Sequence, residues 1–447
     1  MGNWNMLSNR IDQTLFLVLD KLVDYLYNLV DYVSLIRCVF FKKLQYKKQK
    51  YSSSWQEAPE DVIEMILKHT NLSGRVRFSS LCKFWRCVSM RRDIHAPPQL
   101  PWLVHPQVPA FPSYLSFSSL SEGKIFKFRF PRTNYGTLFC GSSKGWLFMS
   151  KMYGWLSSEQ LFLLNPISGA RHQLPYLVNC STVEVLALSS NDISECIVAI
   201  VLNDDKELGL CRPGDKSWSV FQVLDETNYV GDITRLLFSS SGTLFALVEY
   251  CSGANGVGAV QTLKLGGDIE VKLQLVYFEQ NWWINNGLID VFPGVACHAY
   301  LLESTNNEVL LIHHFYEDMG GEGNNEENED NKPDGFVYFR TKCFGIYKID
   351  ADNCNFLKVQ TLGDQILFVA NYGSSLALPA SDFKELQGNC IYFATIGGFS
   401  PHLESCISRE IGIFYLDSGR VERPFPSMMI PRDGCGPSWF TPSLLDR

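Results

Sequence analysis

The chain has 447 residues, 46% of them apolar and 19% charged, which excludes a disordered chain and leaves room for two or three domains. Its net charge of −8 is unevenly spread: residues 1–92 hold 15 Lys and Arg against 8 Asp and Glu, and the remainder 24 against 39. So acidic a remainder argues against nucleic acid as a partner, because that binding rests on neutralising phosphates.

The 14 cysteines are scattered singly, and no Cys-x-x-Cys occurs. A zinc tetrahedron needs paired spacings, so no metal and no cofactor are expected. No small-residue cleavage site follows an apolar core near the start, so no secretory leader is expected either. The thiols read as free, in the reducing setting of nucleus or cytoplasm.

Residues 1–50 read as an amphipathic helix followed by a basic tail. Leu15, Leu19, Leu22, Leu26, Leu29, Val33, Ile36 and Phe40 keep a 4-3-4-3 spacing. Flanking Phe16, Val18, Val23 and Tyr25 widen the apolar face beyond a two-stranded seam. Charges interrupt the stretch too often for a membrane span. Packing against protein, with Lys42, Lys43, Lys47, Lys48 and Lys50 solvated, is preferred here to adsorption on an anionic membrane surface.

Residues 52–92 read as helical. Pro59 suits a first helical position, and Glu60 and Asp61 face the positive end of the helix dipole. Val62, Ile63, Met65, Ile66 and Leu67 follow at helical spacing, Asn71-Leu72-Ser73-Gly74 breaks the pattern, and a second stretch runs from about Arg75 to Val88. Residues 93–112, rich in proline, read as a stiff linker and the main domain boundary.

From 113 to 447 the pattern is of short strands. Lys124 to Phe130 alternates, and Cys196 to Leu202 reads as a fully buried run. Turn chemistry recurs at Asn165-Pro166-Ile167-Ser168-Gly169, Arg212-Pro213-Gly214-Asp215 and Asp417-Ser418-Gly419. Gly136-Thr137-Leu138-Phe139 and Gly242-Thr243-Leu244-Phe245 read as one strand start in two repeats. About twenty short strands with weak repetition fit a mainly β fold, a propeller of five to seven blades. Residues 317–335, acidic and rich in Gly and Asn, read as a disordered loop.

Two resemblances rest on particular residues. Ala58-Pro59-Glu60-Asp61-Val62-Ile63-Glu64-Met65-Ile66-Leu67, with Arg77-Phe78-Ser79-Ser80-Leu81-Cys82-Lys83-Phe84-Trp85, resembles an F-box, with Ala58 where the family usually has Leu. Gly141-Ser142-Ser143-Lys144-Gly145-Trp146-Leu147, Leu163 to Gly169, Cys211 to Asp215 with Trp218, Tyr300 to Ser304, Leu362 to Phe368 and Gly388 to Phe393 resemble, in that order, the KIB-type β-propeller that follows the F-box in a large plant family. The resemblance implies a non-catalytic subunit of an SCF-type (Skp-cullin-F-box) ubiquitin ligase. Its helices dock on a Skp-type adaptor, and through it a cullin, while the propeller binds protein targets for ubiquitination. It further implies that Pro59, Glu60, Ile63, Ile66, Leu67, Arg77, Phe78, Leu81, Cys82 and Trp85 serve adaptor binding, divided between a small core and the docking surface in a way spacing does not reveal. The alternative is a propeller scaffold or inhibitor that assembles no ligase.

Other signals read as structural. The Gly-x-Ser-x-Gly match at 141–145 lies between strand patterns, where a hairpin turn is expected rather than a nucleophile elbow. His313 and His314 are adjacent and so point to opposite faces of a strand; they read as a strand-end pair and not as metal ligands. Asp330 to Gly335 lacks the glutamate that a calcium loop needs at its twelfth position. Trp282, Trp283 and Phe399 read equally well as target anchors or as core.

Overall fold

The computed structural model describes residues 59–442 apart from 69, 71, 80, 90–97, 106–113, 122, 130–136, 154–157, 179–182, 184, 203–206, 223–231, 250–259, 266–268, 278–296, 319–338, 351–354, 385, 398–407 and 425–436. The helix and tail expected over 1–50, Ala58, the paired Trp282 and Trp283, Phe399 and the Asp330 stretch fall outside the described residues. The chain divides into two units, Met1–Met65 and Ile66–Arg447.

Twenty-five strands among the described residues form six sheets, the blades of a propeller. Blade 1 combines β1 (Trp102–His105), β2 (Tyr114–Ser119) and β3 (Lys124–Arg129) with β25 (Ser438–Phe440) from the other end of the sequence. Blade 2 is the meander β4 (Thr137–Ser143), β5 (Trp146–Tyr153), β6 (Ser158–Leu164) and β7 (Arg171–Val178). Blade 3 holds β8 (Leu186–Leu188), β9 (Val198–Leu202), β10 (Glu207–Cys211) and β11 (Ser219–Gln222).

Blade 4 is ordered β12 (Asp232–Phe238), β13 (Leu244–Glu249), β15 (Ile269–Tyr277), β14 (Val260–Leu265), so β13 and β15 run parallel. Blade 5 is β16 (Cys297–Glu303), β17 (Val309–Asp318), β18 (Phe339–Asp350) and β19 (Asn355–Lys358). Blade 6 has five strands, ordered β21 (Leu376–Pro379), β20 (Gln365–Ala370), β22 (Cys390–Gly397), β23 (Ser408–Tyr415), β24 (Val421–Glu422). The inner strands neighbour one another in turn from β25 through β4, β8, β12 and β16 to blade 6, whose β20 returns to β25. The last strand of the chain thus closes the ring beside the first.

The core is a ring of six apolar clusters, one between each pair of neighbouring blades. Strand β9 shows why its sequence is an unbroken apolar run: Ala199 and Val201 enter the cluster shared with blade 4, and Val198, Ile200 and Leu202 the cluster shared with blade 2. A strand between two blades has no wet face, so period-two alternation vanishes from its sequence. Each large aliphatic side chain so buried contributes about 1.5–3 kcal/mol.

The observed elements differ from the expected ones in four places. Strand β1 falls within the span 93–112 read as linker; its prolines hid a strand that pairs with β2 and β25. Glu317 and Asp318 belong to β17 and pair with Arg340 and Phe339, so they are not part of a loop. Gly74 lies inside a helix, Leu72–Ser79, and does not break one. Finally, Thr137 opens the innermost strand of blade 2, whereas Leu244 opens the second strand of blade 4, so the two Gly-Thr-Leu-Phe sequences are not one repeat position.

Candidate functional site

Three short helices occupy the segment read as F-box: Glu60–Lys68, Leu72–Ser79 and Lys83–Ser89. In the first, the Pro59 carbonyl accepts from Val62 and Ile63 N–H at 3.1 and 3.2 Å, and Glu60 and Asp61 lie in the opening turn. Pro59 and Glu60 are exposed there, Ile63 is buried, and Met65 is 58% exposed. From Ile66 onward, Leu67 is buried and Ile66 half-buried, and Leu72 joins the blade 1 cluster with Trp102, Val104 and Phe117.

The second and third helices form a corner. The Phe78 and Trp85 rings stack at 5.0 Å, and Arg86 Nε donates to the Ser79 carbonyl at 3.1 Å. Cys82 caps the third helix, its sulfur accepting from Trp85 N–H at 3.4 Å. Trp85 is buried, Phe78 and Cys82 half-buried, and Arg77 lies within the second helix. With Phe78 and Trp85 committed inward, Leu81 and Phe84 are left 64% and 43% exposed. Phe84 was not among the residues assigned to adaptor binding; its place beside inward-facing Trp85 is the signal that could have found it. So Ile63, Leu67 and Trp85 are each buried, while Pro59, Met65, Leu81 and Phe84 meet solvent.

The motifs that carry the propeller resemblance tie blades together. Lys144 and Gly145, at φ 45° and 84°, make the two-residue turn between β4 and β5. Lys144 Nζ donates to the Ser189 carbonyl and Trp146 Nε1 to that of Asn191, both in blade 3. Trp218 Nε1 of blade 3 reaches the Pro175 carbonyl of blade 2 at 3.0 Å. Glu303 of blade 5 accepts from Ser240 N–H and Oγ of blade 4, and Gln365 of blade 6 accepts from Thr305 N–H of blade 5 at 2.9 Å. Outside those motifs, Trp439 Nε1 of β25 donates to the Val369 carbonyl of blade 6 at 3.0 Å. Asn165 and Asn389 instead hold their own blades' loops, accepting from Ile167 and Leu362 N–H, both at 2.8 Å.

Ser143 is part of this scaffold. It accepts from Leu188 N–H at 3.2 Å and from Ser374 Oγ at 2.8 Å, in a hairpin with no strand-to-helix turn. His313 and His314 correct the strand-end reading, for both sit mid-strand in β17 and are fully buried. They do take opposite faces: His314 stacks on Phe344, and His313 meets Tyr347 edge-on. Burial holds His313 near a pKa of about 3 and pushes His314 well below the ordinary histidine value, so both are neutral. His314 bonds Tyr316 OH and Thr341 Oγ1 at 2.9 and 2.8 Å, and Thr341 in turn donates to Glu410 of blade 6, which Arg423 holds at 2.7 Å. Among the described residues no group of His, Cys, Asp and Glu is placed to hold a metal ion, and no helix is long and apolar enough to cross a membrane.

At one mouth of the ring all six blades border a cavity of about 200 Å³, lined among others by Ser142, Lys144, Leu188, Leu237, Glu303, Leu376 and Thr441. The loop between β20 and β21 lines it too, with Ser374 N–H donating to the Ser142 carbonyl at 2.8 Å. Gly373, at φ 78°, lies so close that a Cβ there would stand 2.5 Å from that same carbonyl.

Comparison with known proteins matches residues 59–96 to the F-box domain and residues 117–415 to the KIB1-4 beta-propeller. The chain belongs to the KIB1-4 beta-propeller family and is an F-box protein with a six-bladed propeller. Relatives include two Arabidopsis thaliana F-box proteins. At5g66830 is 22% identical over 406 residues, which is 87% of this chain and 93% of the relative. At4g22060 is 21% identical over 414 residues, 88% and 97%. An F-box/kelch-repeat protein of the same plant, At3g18720, is 27% identical over 214 residues, 45% and 52%. An F-box implies, for the class, binding to a Skp1-type adaptor and a role as substrate adaptor of SCF ligases, and adaptors of this type are typically non-catalytic.

Proposed function

We propose that this chain is the substrate-recognition subunit of an SCF-type ubiquitin ligase, with its three helices on a Skp-type adaptor and its propeller holding a protein target. The observation that carries the reading is the exposure of Leu81 and Phe84 beside the inward-facing Phe78–Trp85 stack. Apolar rings and branched chains at a surface are a docking face in want of a partner. Tethering the target beside the charged ubiquitin-conjugating enzyme raises its effective concentration and asks no chemistry of this chain. The assembly would work in nucleus or cytoplasm. Co-purification of the full chain with a Skp1-type adaptor tests the proposal: a stoichiometric complex is expected, and failure to co-purify would discard it.

A second reading, a propeller scaffold or inhibitor that assembles no ligase, draws on Ala58 standing where the family usually has Leu. It requires that the native chain bind no adaptor and that Ala58→Leu create binding.

A further inference from the structure

The cavity at the channel mouth carries more hydrogen-bonding capacity than its cross-blade bonds use. Lys144 donates one hydrogen bond, to the Ser189 carbonyl at 3.0 Å. Its ammonium has three N–H donors, so two remain uncommitted among the described residues. The hydroxyls of Ser375 and Thr441, which also line the cavity, have no partner among the described residues. Glu303, on the wall, is already held by Ser240, whose N–H and Oγ lie 2.7–2.9 Å from its oxygens. The mouth therefore offers a cation with donors to spare beside two uncommitted hydroxyls. Leu237 and Leu376 supply an apolar wall beside them.

The backbone points the same way. Lys144 adopts φ 45°, in the left-handed region where Asn or Gly sits with less strain. Asn would fit that backbone with less strain, but only a long side chain reaches the Ser189 carbonyl and still holds an ammonium at the cavity wall. Lys144 is exposed overall, yet desolvation lowers its ammonium pKa from the ordinary lysine value, with Glu303 opposing the shift. A second anion beside the ammonium would reverse that loss.

We propose that the channel mouth is a binding site for a monocarboxylate carrying one small apolar group, either a free organic acid or the C-terminal residue of a peptide, with the carboxylate on Lys144 and the apolar group on Leu237 and Leu376. The volume of about 200 Å³ lies below the ~300–1,000 Å³ of drug-sized ligand pockets, so it suits one small end group and not a folded surface. A phosphate is the poorer fit, because the Glu303 charge repels a dianion about twice as strongly as a carboxylate at the same place.

In its peptide form the inference rests on the reading of the propeller as the target-holding half. The test uses the full chain and titration calorimetry with 4-methylpentanoate, 3-phenylpropionate, their amides, inorganic phosphate, and a pool of pentapeptides ending in Leu or Phe with free or amidated C-termini. Lys144→Asn is the chosen variant, since Asn tolerates the turn; it removes the charge together with the bond to the Ser189 carbonyl, and a native denaturation midpoint in the variant separates the lost charge from a loosened ring. The expected result is binding of at least one carboxylate form, no binding of its amide, and at least a tenfold loss in Lys144→Asn, with adaptor co-purification unchanged. Binding by the organic acids alone identifies a small-molecule site, and binding by the free-ended peptides alone a terminus reader. Silence of every carboxylate, equal binding of acids and amides, preference for phosphate, or an unaffected Lys144→Asn would each overturn the site. An overturned site with adaptor binding intact leaves the ligase reading standing, and loss of adaptor binding with the site intact does the reverse.

Discussion

In the propeller, Trp146 and Trp439 are 1% and 2% exposed and direct their indole N–H groups at a neighbouring blade, whereas in the helical segment Leu81 and Phe84 stand 64% and 43% exposed. Trp146, Leu81 and Phe84 lie within the sequences by which the family is recognised, Trp439 beyond them, and the two sets do different work. The propeller signatures are the joints of a ring whose six clusters each need two blades to exist. The helical signature is a small corner that satisfies Phe78 and Trp85 internally and leaves apolar side chains for something else. Substitutions should therefore separate: in one region they cost folding, in the other they cost association.

The largest effect is expected at the ring closure. Strand β25 has only three residues, and Trp439 supplies its cross-blade hydrogen bond to Val369 and an edge-on contact with Phe368 at 5.3 Å. Trp439→Ala removes a buried ring and leaves a cavity, at about 3–5 kcal/mol, and leaves the Val369 carbonyl without its indole donor. Urea denaturation should show a correspondingly lower midpoint. An unchanged midpoint would mean that the ring holds without its last strand.

Next comes pH. His313, at a pKa of about 3, and His314, also lowered, are neutral in the fold because charging them there would cost their hydration. The unfolded chain protonates its histidines near 6.5. Below that pH the unfolded state binds the extra protons, so stability falls as pH drops and is intact above it. His313 should withdraw about 2 kcal/mol between pH 7.5 and 5, and His314 acts in the same direction. The unfolding free energy at pH 7.5 and 5, followed in the native chain and in His313→Leu, checks this: the variant should lose about one histidine's share of the decline. A native chain equally stable at both values would contradict the burial of the pair.

How much of this could be read beforehand follows from the same contrast. Blades 2, 3 and 6 announced themselves because their turns demand Asn or Gly: Asn165 accepts from Ile167 N–H, Gly214 takes φ 100° and Gly419 φ 66°. The closing strand did not, for three residues carry no periodicity and their partner lies at Trp102, among prolines. The channel mouth was hidden for another reason: residues from all six blades meet there, and no local pattern records that Lys144, Glu303 and Thr441 converge. In the helices the residue set was legible, but its division was not. Stretches of seven to nine residues have about two turns, too few to tell an inner stripe from an outer one.

The smallest effect on folding is expected where the largest effect on assembly lies. Leu81 follows the second helix, Phe84 lies in the first turn of the third, and neither belongs to an apolar cluster of the described residues. Leu81→Glu with Phe84→Glu therefore removes little buried area, and surface changes of this kind usually stay within about 0.5 kcal/mol. Against a Skp1-type adaptor the same pair should place two charges in an apolar interface, where unpaired burial costs several kcal/mol, so capture should fall below detection while the denaturation midpoint holds. Trp85→Ala supplies the contrast, since it removes the Phe78 stack and should lower stability and capture together. If Leu81→Glu with Phe84→Glu instead bound adaptor as well as the native chain does, the exposed pair would not be the docking face, and the distinction between a buried and an offered signature would lose its meaning at those helices.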